Sequence, residues 1–166
     1  DDQADLAITL YQEILAKHPD HLATLYNLAT LLGEQHQYGK AKQYYETLIR
    51  LEPDFVRGHY NLAVCYLQEK NPQKAQALLE EATRLVPEYA QAHHMLGGIL
   101  VKQGALEAAA EHFEQAIAHE SELAQAYCHL GMVRLQQGHM DLAQEHLENA
   151  LTLEPAQAEG HYHLGL

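Results

Sequence analysis

Residues 56–89 read VRGHYNLAVCYLQEKNPQKAQALLEEATRLVPEY, and related sequence recurs every 34 residues on both sides of this stretch. The prolines show the spacing most simply. Four of the five fall on this 34-residue grid, and Ser121 occupies the one grid position without a proline: Pro19, Pro53, Pro87 and Pro155. A fixed period of this length is typical of a repeat protein, in which each unit packs on the next and buries a continuous core.

Large and small apolar residues recur at the same spacing. A leucine column is followed at every point by a small residue: Leu28-Ala29, Leu62-Ala63, Leu96-Gly97, Leu130-Gly131 and Leu164-Gly165. An alanine column lies further along each repeat: Ala7, Ala41, Ala75, Ala109 and Ala143. Small residues let two helices approach closely and large ones fill the space beside them, so these columns predict closely packed helices.

Each 34-residue repeat contains two amphipathic segments. Leu25, Leu28 and Leu32 are spaced three or four residues apart, as are Ala41, Tyr45 and Leu48. This spacing indicates α-helices rather than strands.

The breaks between the segments are equally regular. Gly104 and Gly138 stand where a first helix should end, and Asn71-Pro72 should begin a second helix. We also expect Asp20, Asp54 and Ser121, which follow or replace the grid proline, to act as helix N-caps.

The pattern resembles the tetratricopeptide repeat, whose signature is a bulky residue, Leu and a small residue, an aromatic, Ala, an aromatic, and Pro. The corresponding residues of the repeat at 56–89 are His59, Leu62-Ala63, Tyr66, Ala75, Leu79 and Pro87. The resemblance implies an all-α fold, a right-handed α-solenoid of antiparallel helix pairs. No Trp occupies the leading position, and Arg134 replaces an expected aromatic.

This resemblance also predicts the domain organisation. We expect one array over residues 1–166, with the second helix of a partial repeat at 1–21 and the start of a truncated repeat at 158–166. Four complete repeats lie between them, at 22–55, 56–89, 90–123 and 124–157. With neither an initiator Met nor a polar capping helix, the sequence is expected to be a fragment of a longer protein.

Composition limits the partners. The formal net charge of −13 argues against binding a nucleic-acid backbone. No apolar run has membrane-spanning length and no signal peptide is visible, so we expect a cytoplasmic protein without a membrane partner. The two cysteines suggest no disulfide; Cys65 shares an apolar column and should be buried, whereas Cys128 falls in a column expected to be reachable.

In the family that the sequence resembles, the first helix of each repeat lines a concave groove. The groove residues implied here are Tyr26, Asn27, Thr30, Arg57, Tyr60, Asn61, Val64, Gln91, His94, Met95, Lys102, Gln125, Cys128, His129 and Met132. Glu34 and Glu159 fall in the same groove columns and balance the charges of Arg57 and Lys102. The groove is therefore expected to be neutral, polar and aromatic, which favours a protein or peptide partner bound in it.

Two asparagines suggest how a peptide would be held. Asn27 and Asn61 are similar to the inward Asn ladder of the tetratricopeptide superhelix of O-linked N-acetylglucosamine transferase. An amide can donate to and accept from a peptide backbone, and Tyr26 and Tyr60 would pack beside it. The alternative is that both amides are simply solvated.

Nothing in the sequence indicates catalysis, a cofactor or a metal. Neither a glycine-rich phosphate loop nor a supported nucleophile-base arrangement is present, and Gly97-Gly98 lies inside a predicted helix. Among the 13 histidines, only His129 and His163 are expected to converge, and most should become charged as the pH falls. The primary hypothesis is a non-enzymatic interaction scaffold.

Two other functions stay open. The chain could be the substrate-recruiting arm of a larger enzyme, such as a glycosyltransferase or a methyltransferase. It could also associate head to tail with other copies through the apolar ends, which include Leu6, Leu10 and Leu164.

Overall fold

The computed structural model describes residues 2–154, and all regular secondary structure in that range is α-helical. In chain order the helices are α1 (Asp2–Lys17), α2 (Leu22–Glu34), α3 (Tyr38–Leu51), α4 (Val56–Gln68), α5 (Pro72–Leu85), α6 (Ala90–Lys102), α7 (Leu106–His119), α8 (Ala124–Gln136) and α9 (Met140–Leu153). The all-α fold of paired helices is confirmed. The truncated repeat predicted at 158–166 lies outside the described residues.

The chain forms two compact units, Asp1–Leu85 and Val86–Leu166, called here the first and second units. In the first unit, α2 pairs with α3 and α4 with α5, while α3 packs on α4 and α2 also contacts α4. In the second unit, α6 pairs with α7 and α8 with α9, and α7 packs on α8. Each unit therefore repeats the same arrangement of one helix pair against the next.

The core of each unit is built from the predicted columns. In the first unit Leu28, Ala29 and Ala41 have no exposed surface. In the second unit Phe113, Leu130 and Val133 belong to one buried cluster with two alanines of α7. The large and small columns thus pack against each other, as close packing of helices requires.

The small residue of the column is a steric requirement in the second unit. A Cβ atom added to Gly97 would lie 2.6 Å from Cε1 of Phe113, far inside van der Waals contact. One added to Gly131 would lie 2.8 Å from Cγ of Leu147. Glycine lets the first helix of each pair approach the aromatic or aliphatic residue of its second helix.

The turn inside each helix pair uses a left-handed residue. Gly104 and Gly138 have φ of +77° and +83°, two residues beyond the ends of α6 and α8, as the sequence predicts. His36 and Lys70 occupy the equivalent positions of the earlier repeats, both with φ of +59°. These two L-residues adopt a backbone conformation that favours glycine.

The predicted helix starts are partly right. α5 begins at Pro72, and Oδ1 of Asn71 accepts a hydrogen bond of 3.2 Å from the Lys74 amide. The N-caps predicted at Asp20, Asp54 and Ser121 are wrong, because the capping residues are His21, Phe55 and Leu123.

The reason is a reverse turn that includes the grid proline. The amide of Phe55 donates to the carbonyl of Glu52, which places Pro53 and Asp54 at the two central positions of the turn. The helix can begin only after this turn closes. The cap therefore falls one residue beyond the aspartate in the first two cases and two residues beyond Ser121 in the third.

Candidate functional site

The predicted groove residues lie on four helices, in two groups. Tyr26, Asn27 and Thr30 are on α2, and the residues of the group that lie on α4 are Arg57, Tyr60, Asn61 and Val64. The second unit carries its own group, on α6 and α8: Gln91, His94, Met95, Lys102, Gln125, Cys128, His129 and Met132. In the first unit α2 contacts α4, and in the second unit α6 contacts α8. Each group of residues therefore forms a surface within its own unit.

An open cleft of about 320 Å³ lies in the first unit. Four residues that the sequence places in the groove line it: Thr30, Glu34, Asn61 and Val64. The sequence did not place the other lining residues in the site, and these are Gly33, His36, Tyr38, Tyr45 and Cys65. The cleft combines α2, α3, α4 and the turn after α2.

The hydroxyl of Tyr45 organises the polar part of this cleft. The Tyr45 side chain comes from α3 and is only 3% exposed, and its hydroxyl lies 3.0 Å from Oγ1 of Thr30. The Asn61 side chain interacts with the same hydroxyl. Burial raises the pKa of Tyr45 to about 12, so the phenol stays neutral at physiological pH. The buried hydroxyl therefore holds Thr30 by a hydrogen bond and lies beside Asn61.

The apolar part of the cleft is formed by Val64 and Cys65. Cys65 is 2% exposed, as the sequence predicts, and burial raises the pKa of its thiol to about 11. A thiol held neutral in this way is a poor nucleophile and a good apolar contact. The cleft can accept a side chain against this wall while Thr30 and Asn61 form hydrogen bonds.

Gly33 provides the open space. A Cβ atom added there would meet nothing within 4 Å. In the next three repeats the position equivalent to Gly33 holds a bulky aliphatic residue: Leu67, Val101 and Leu135. A glycine that interrupts an aliphatic column is the sequence signal that could have revealed the cleft.

The other predicted residues of the first unit do not line this cleft. Tyr26 packs its ring against Tyr45 and Phe55, with ring centroids 6.2 and 5.4 Å apart. Asn27 is exposed on α2 and Arg57 is exposed on α4. Tyr60 is half-buried, and burial raises the pKa of its phenol. Of the two predicted ladder asparagines, only Asn61 belongs to the cleft.

The second unit contains a histidine pair that the sequence did not predict. Nε2 of His94 lies 2.9 Å from Nδ1 of His129, and the rings are stacked with centroids 5.0 Å apart. Both rings also contact Phe113, at centroid distances of 5.7 and 5.5 Å. The expectation that His129 could converge only with His163 is therefore wrong; His163 lies outside the described residues.

Burial changes the expected titration of these histidines. Burial, together with the neighbouring His129, lowers the pKa of His94 to about 4. Burial also lowers the pKa of His93 and of His146. These three side chains stay neutral at pH values where an exposed histidine is protonated, which corrects the expectation of ordinary titration for them.

The remaining predicted residues of the second unit are dispersed. Nε2 of Gln91 donates a 2.6 Å hydrogen bond to Glu120, and Met132 is 40% exposed. Met95 is half-buried, and Lys102 and Gln125 are exposed. Cys128 is only 5% exposed and belongs to a buried cluster with Ala150, so the expectation that it is reachable is wrong. Apolar residues of the second helix of the pair pack against this cluster and cover it.

The apolar end predicted for head-to-tail association is partly described by the structure. At the amino-terminal end, Leu6 is 61% and Leu10 is 50% exposed, while Leu164 lies outside the described residues. Head-to-tail association stays a prediction.

Within residues 2–154 no helix is long and apolar enough to cross a membrane, and no cluster of three or more potential metal ligands occurs.

Sequence comparison finds four overlapping matches to family models. Three of the models are described as tetratricopeptide repeat and match residues 10–43, 32–99 and 124–157. A fourth, described as TPR repeat, matches residues 97–138. The matches together extend from residue 10 to residue 157. No match was found among curated protein sequences.

Solved structures share the fold. The crystal structure of MamA is 24% identical with a TM-score of 0.85, and the match covers 94% of this chain and 91% of that one. YrrB, described as a TPR protein with an unusual peptide-binding site, is 20% identical with a TM-score of 0.77 and coverages of 93% and 79%. TTC0263 from Thermus thermophilus, described as a thermophilic TPR protein, is 24% identical with a TM-score of 0.74 and coverages of 99% and 91%.

Proposed function

Because this chain belongs to the tetratricopeptide-repeat family, we propose that it is a protein-interaction scaffold and that the cleft of the first unit binds a peptide segment of its partner. The observation that carries the proposal is an open cleft in which the polar side chains of Thr30 and Asn61 lie beside an apolar wall. Such a mixture of apolar surface and a few placed polar groups is typical of recognition sites.

The bound segment would use both parts of the cleft. One aliphatic side chain would occupy the space beside Gly33 and contact Val64 and Cys65. Its backbone would form hydrogen bonds with Thr30, which the Tyr45 hydroxyl holds in place, and with Asn61. Preorganised polar groups reduce the entropy lost on binding, which favours affinity from a small site. YrrB, whose structure is described as having a peptide-binding site, gives this use of the fold a precedent.

The test uses a peptide selected from a random phage-display library on the intact protein. We expect Gly33→Leu to weaken its affinity at least about fivefold, since losing a central contact at an interface costs more than about 1 kcal/mol. The substitution installs the residue found at the equivalent position 67, and leucine has a higher helix propensity than glycine, so folding is preserved.

Gly39→Leu is the matched control. Gly39 is also a helical glycine of the first unit with nothing within 4 Å of an added Cβ, but it does not line the cleft. The proposal requires that affinity fall for Gly33→Leu and be retained for Gly39→Leu. Equal affinity of both variants would place the peptide elsewhere. The substrate-recruiting alternative places the same cleft within a larger enzyme, so this test applies to it equally.

A further inference from the structure

A second histidine pair lies inside one repeat of the second unit. Nδ1 of His93, near the start of α6, is 3.0 Å from Nδ1 of His112 on α7. Nε2 of His93 is 2.9 Å from the carbonyl oxygen of Pro87. A carbonyl oxygen can only accept, so Nε2 of His93 carries the proton and Nδ1 presents a lone pair to His112.

This arrangement matches that of a metal-binding histidine. Histidines that coordinate metals usually donate their other ring N–H to a carbonyl or carboxylate, which fixes the tautomer and the ring orientation. His93 has this support from Pro87, and its side chain is only 9% exposed.

The distance between the two nitrogens allows a single ion to bind both. Metal–imidazole bonds of about 2.0 Å put the two nitrogens about 2.8 Å apart at a right angle and about 3.3 Å apart at a tetrahedral angle. The observed 3.0 Å, which is the length of the His93–His112 hydrogen bond, lies between these two values. Among divalent first-row ions, Cu²⁺ binds nitrogen ligands most tightly, and its sites are typically square-planar or tetragonal.

We propose that Nδ1 of His93 and Nδ1 of His112 form a two-histidine site for a tetragonal divalent ion of the Cu²⁺ class. His112 gives up its Nδ1 proton and carries it on Nε2 instead, so two neutral imidazoles bind the ion without net release of protons. Water molecules complete the coordination. The His119 ring is stacked on His93 with centroids 6.3 Å apart and closes one side. The site departs from the expectation of no metal site drawn from spacing within single helices.

The preceding repeat holds half of the same site. Nε2 of His59 lies 2.6 Å from the carbonyl oxygen of Pro53, which gives this ring the same support that His93 has. Nδ1 of His59 is buried and has no hydrogen-bond partner. The residue 34 positions before His112 is Leu78, a half-buried side chain of α5 that cannot supply a ligand. The substitution Leu78→His should therefore create a second site in the first unit.

The test measures binding of Cu²⁺, supplied as its glycine complex to suppress weak surface binding, by titration calorimetry and electron paramagnetic resonance. His112→Ala should weaken the tightest binding event by roughly 10–100-fold, at least the effect of losing a supporting residue of a metal site. Leu78→His should add one further binding event with a two-nitrogen spectrum.

His18→Ala serves as the control, since His18 is an exposed histidine of the first unit. It should leave the tightest event unchanged. Circular dichroism checks that each variant keeps the wild-type helix content. The proposal is overturned if folded His112→Ala binds Cu²⁺ as tightly as His18→Ala does, or if folded Leu78→His adds no binding event.

Discussion

The stability of the second unit should depend on pH through His94. The ring of His94 is half-buried between Phe113 and His129, and its pKa is lowered to about 4. In the unfolded chain the same side chain titrates near about 6.5. The unfolded state therefore binds more protons than the folded state between these two values, and protonation favours unfolding.

The sign and size of the effect follow from these two values. Because the folded-state pKa is the lower one, the stability is fully present above about pH 6.5 and is lost as the pH falls toward about 4. Between about pH 7.5 and about pH 5, one histidine with this shift lowers the free energy of unfolding by about 2 kcal/mol. The groups that face His94 are the His129 imidazole and the apolar Phe113 ring.

The perturbation is His94→Gln, which keeps a neutral side chain with a nitrogen donor near the position of Nε2. The free energy of unfolding is measured by urea denaturation at both pH values. We expect the loss on acidification to be smaller in His94→Gln than in the wild type by about 2 kcal/mol.

The control is His18→Gln at an exposed position, which should show the full wild-type loss. A loss in His94→Gln that equals the wild-type loss would refute the reasoning. It would show that the His94–His129 pair is already protonated in the folded protein at about pH 5.

Two further predictions concern the backbone. Gly97→Ala should destabilise the protein by about 1–3 kcal/mol, because its Cβ would lie 2.6 Å from the Phe113 ring, whereas Gly98→Ala, with open space around it, should stabilise it by about 0.5–1 kcal/mol. Thermal unfolding of the two variants checks this, and a reversed order would contradict the packing described for α6. Lys70→Gly should stabilise the protein by up to about 1 kcal/mol, since it relieves a lysine with φ of +59° in the turn after α4. The same substitution in the first turn of α5, Lys74→Gly, where the backbone is helical, should instead cost up to about 1 kcal/mol, and equal effects of the two would argue against strain at residue 70.

The fold could be predicted from the sequence because each part of it is local. The 34-residue period, the amphipathic spacing and the glycines of the turns all act within one helix pair or between neighbours. The predicted N-cap at Asp54 is misplaced because the turn at Pro53 needs one more residue before α4 can begin. A residue preference alone does not reveal how many residues a turn uses.

The candidate sites were less accessible to sequence reasoning because they depend on several helices at once. The cleft requires the missing side chain of Gly33 and the buried hydroxyl of Tyr45, which the periodicity assigns only to the core. The His94–His129 contact joins residues 35 apart, in neighbouring columns of consecutive repeats. A comparison within single helices and single columns passes over such a pair.

The central claim, that the cleft of the first unit binds the partner, is tested most directly by nuclear magnetic resonance. The phage-selected peptide is titrated into the isotope-labelled protein, and the backbone amide shifts are followed. We predict that the largest changes fall on the amides that line the cleft around the Tyr45 hydroxyl, namely Thr30, Gly33, Asn61, Val64 and Cys65. Changes confined to the second unit or to α1, with the amides around the cleft unmoved, would contradict the account.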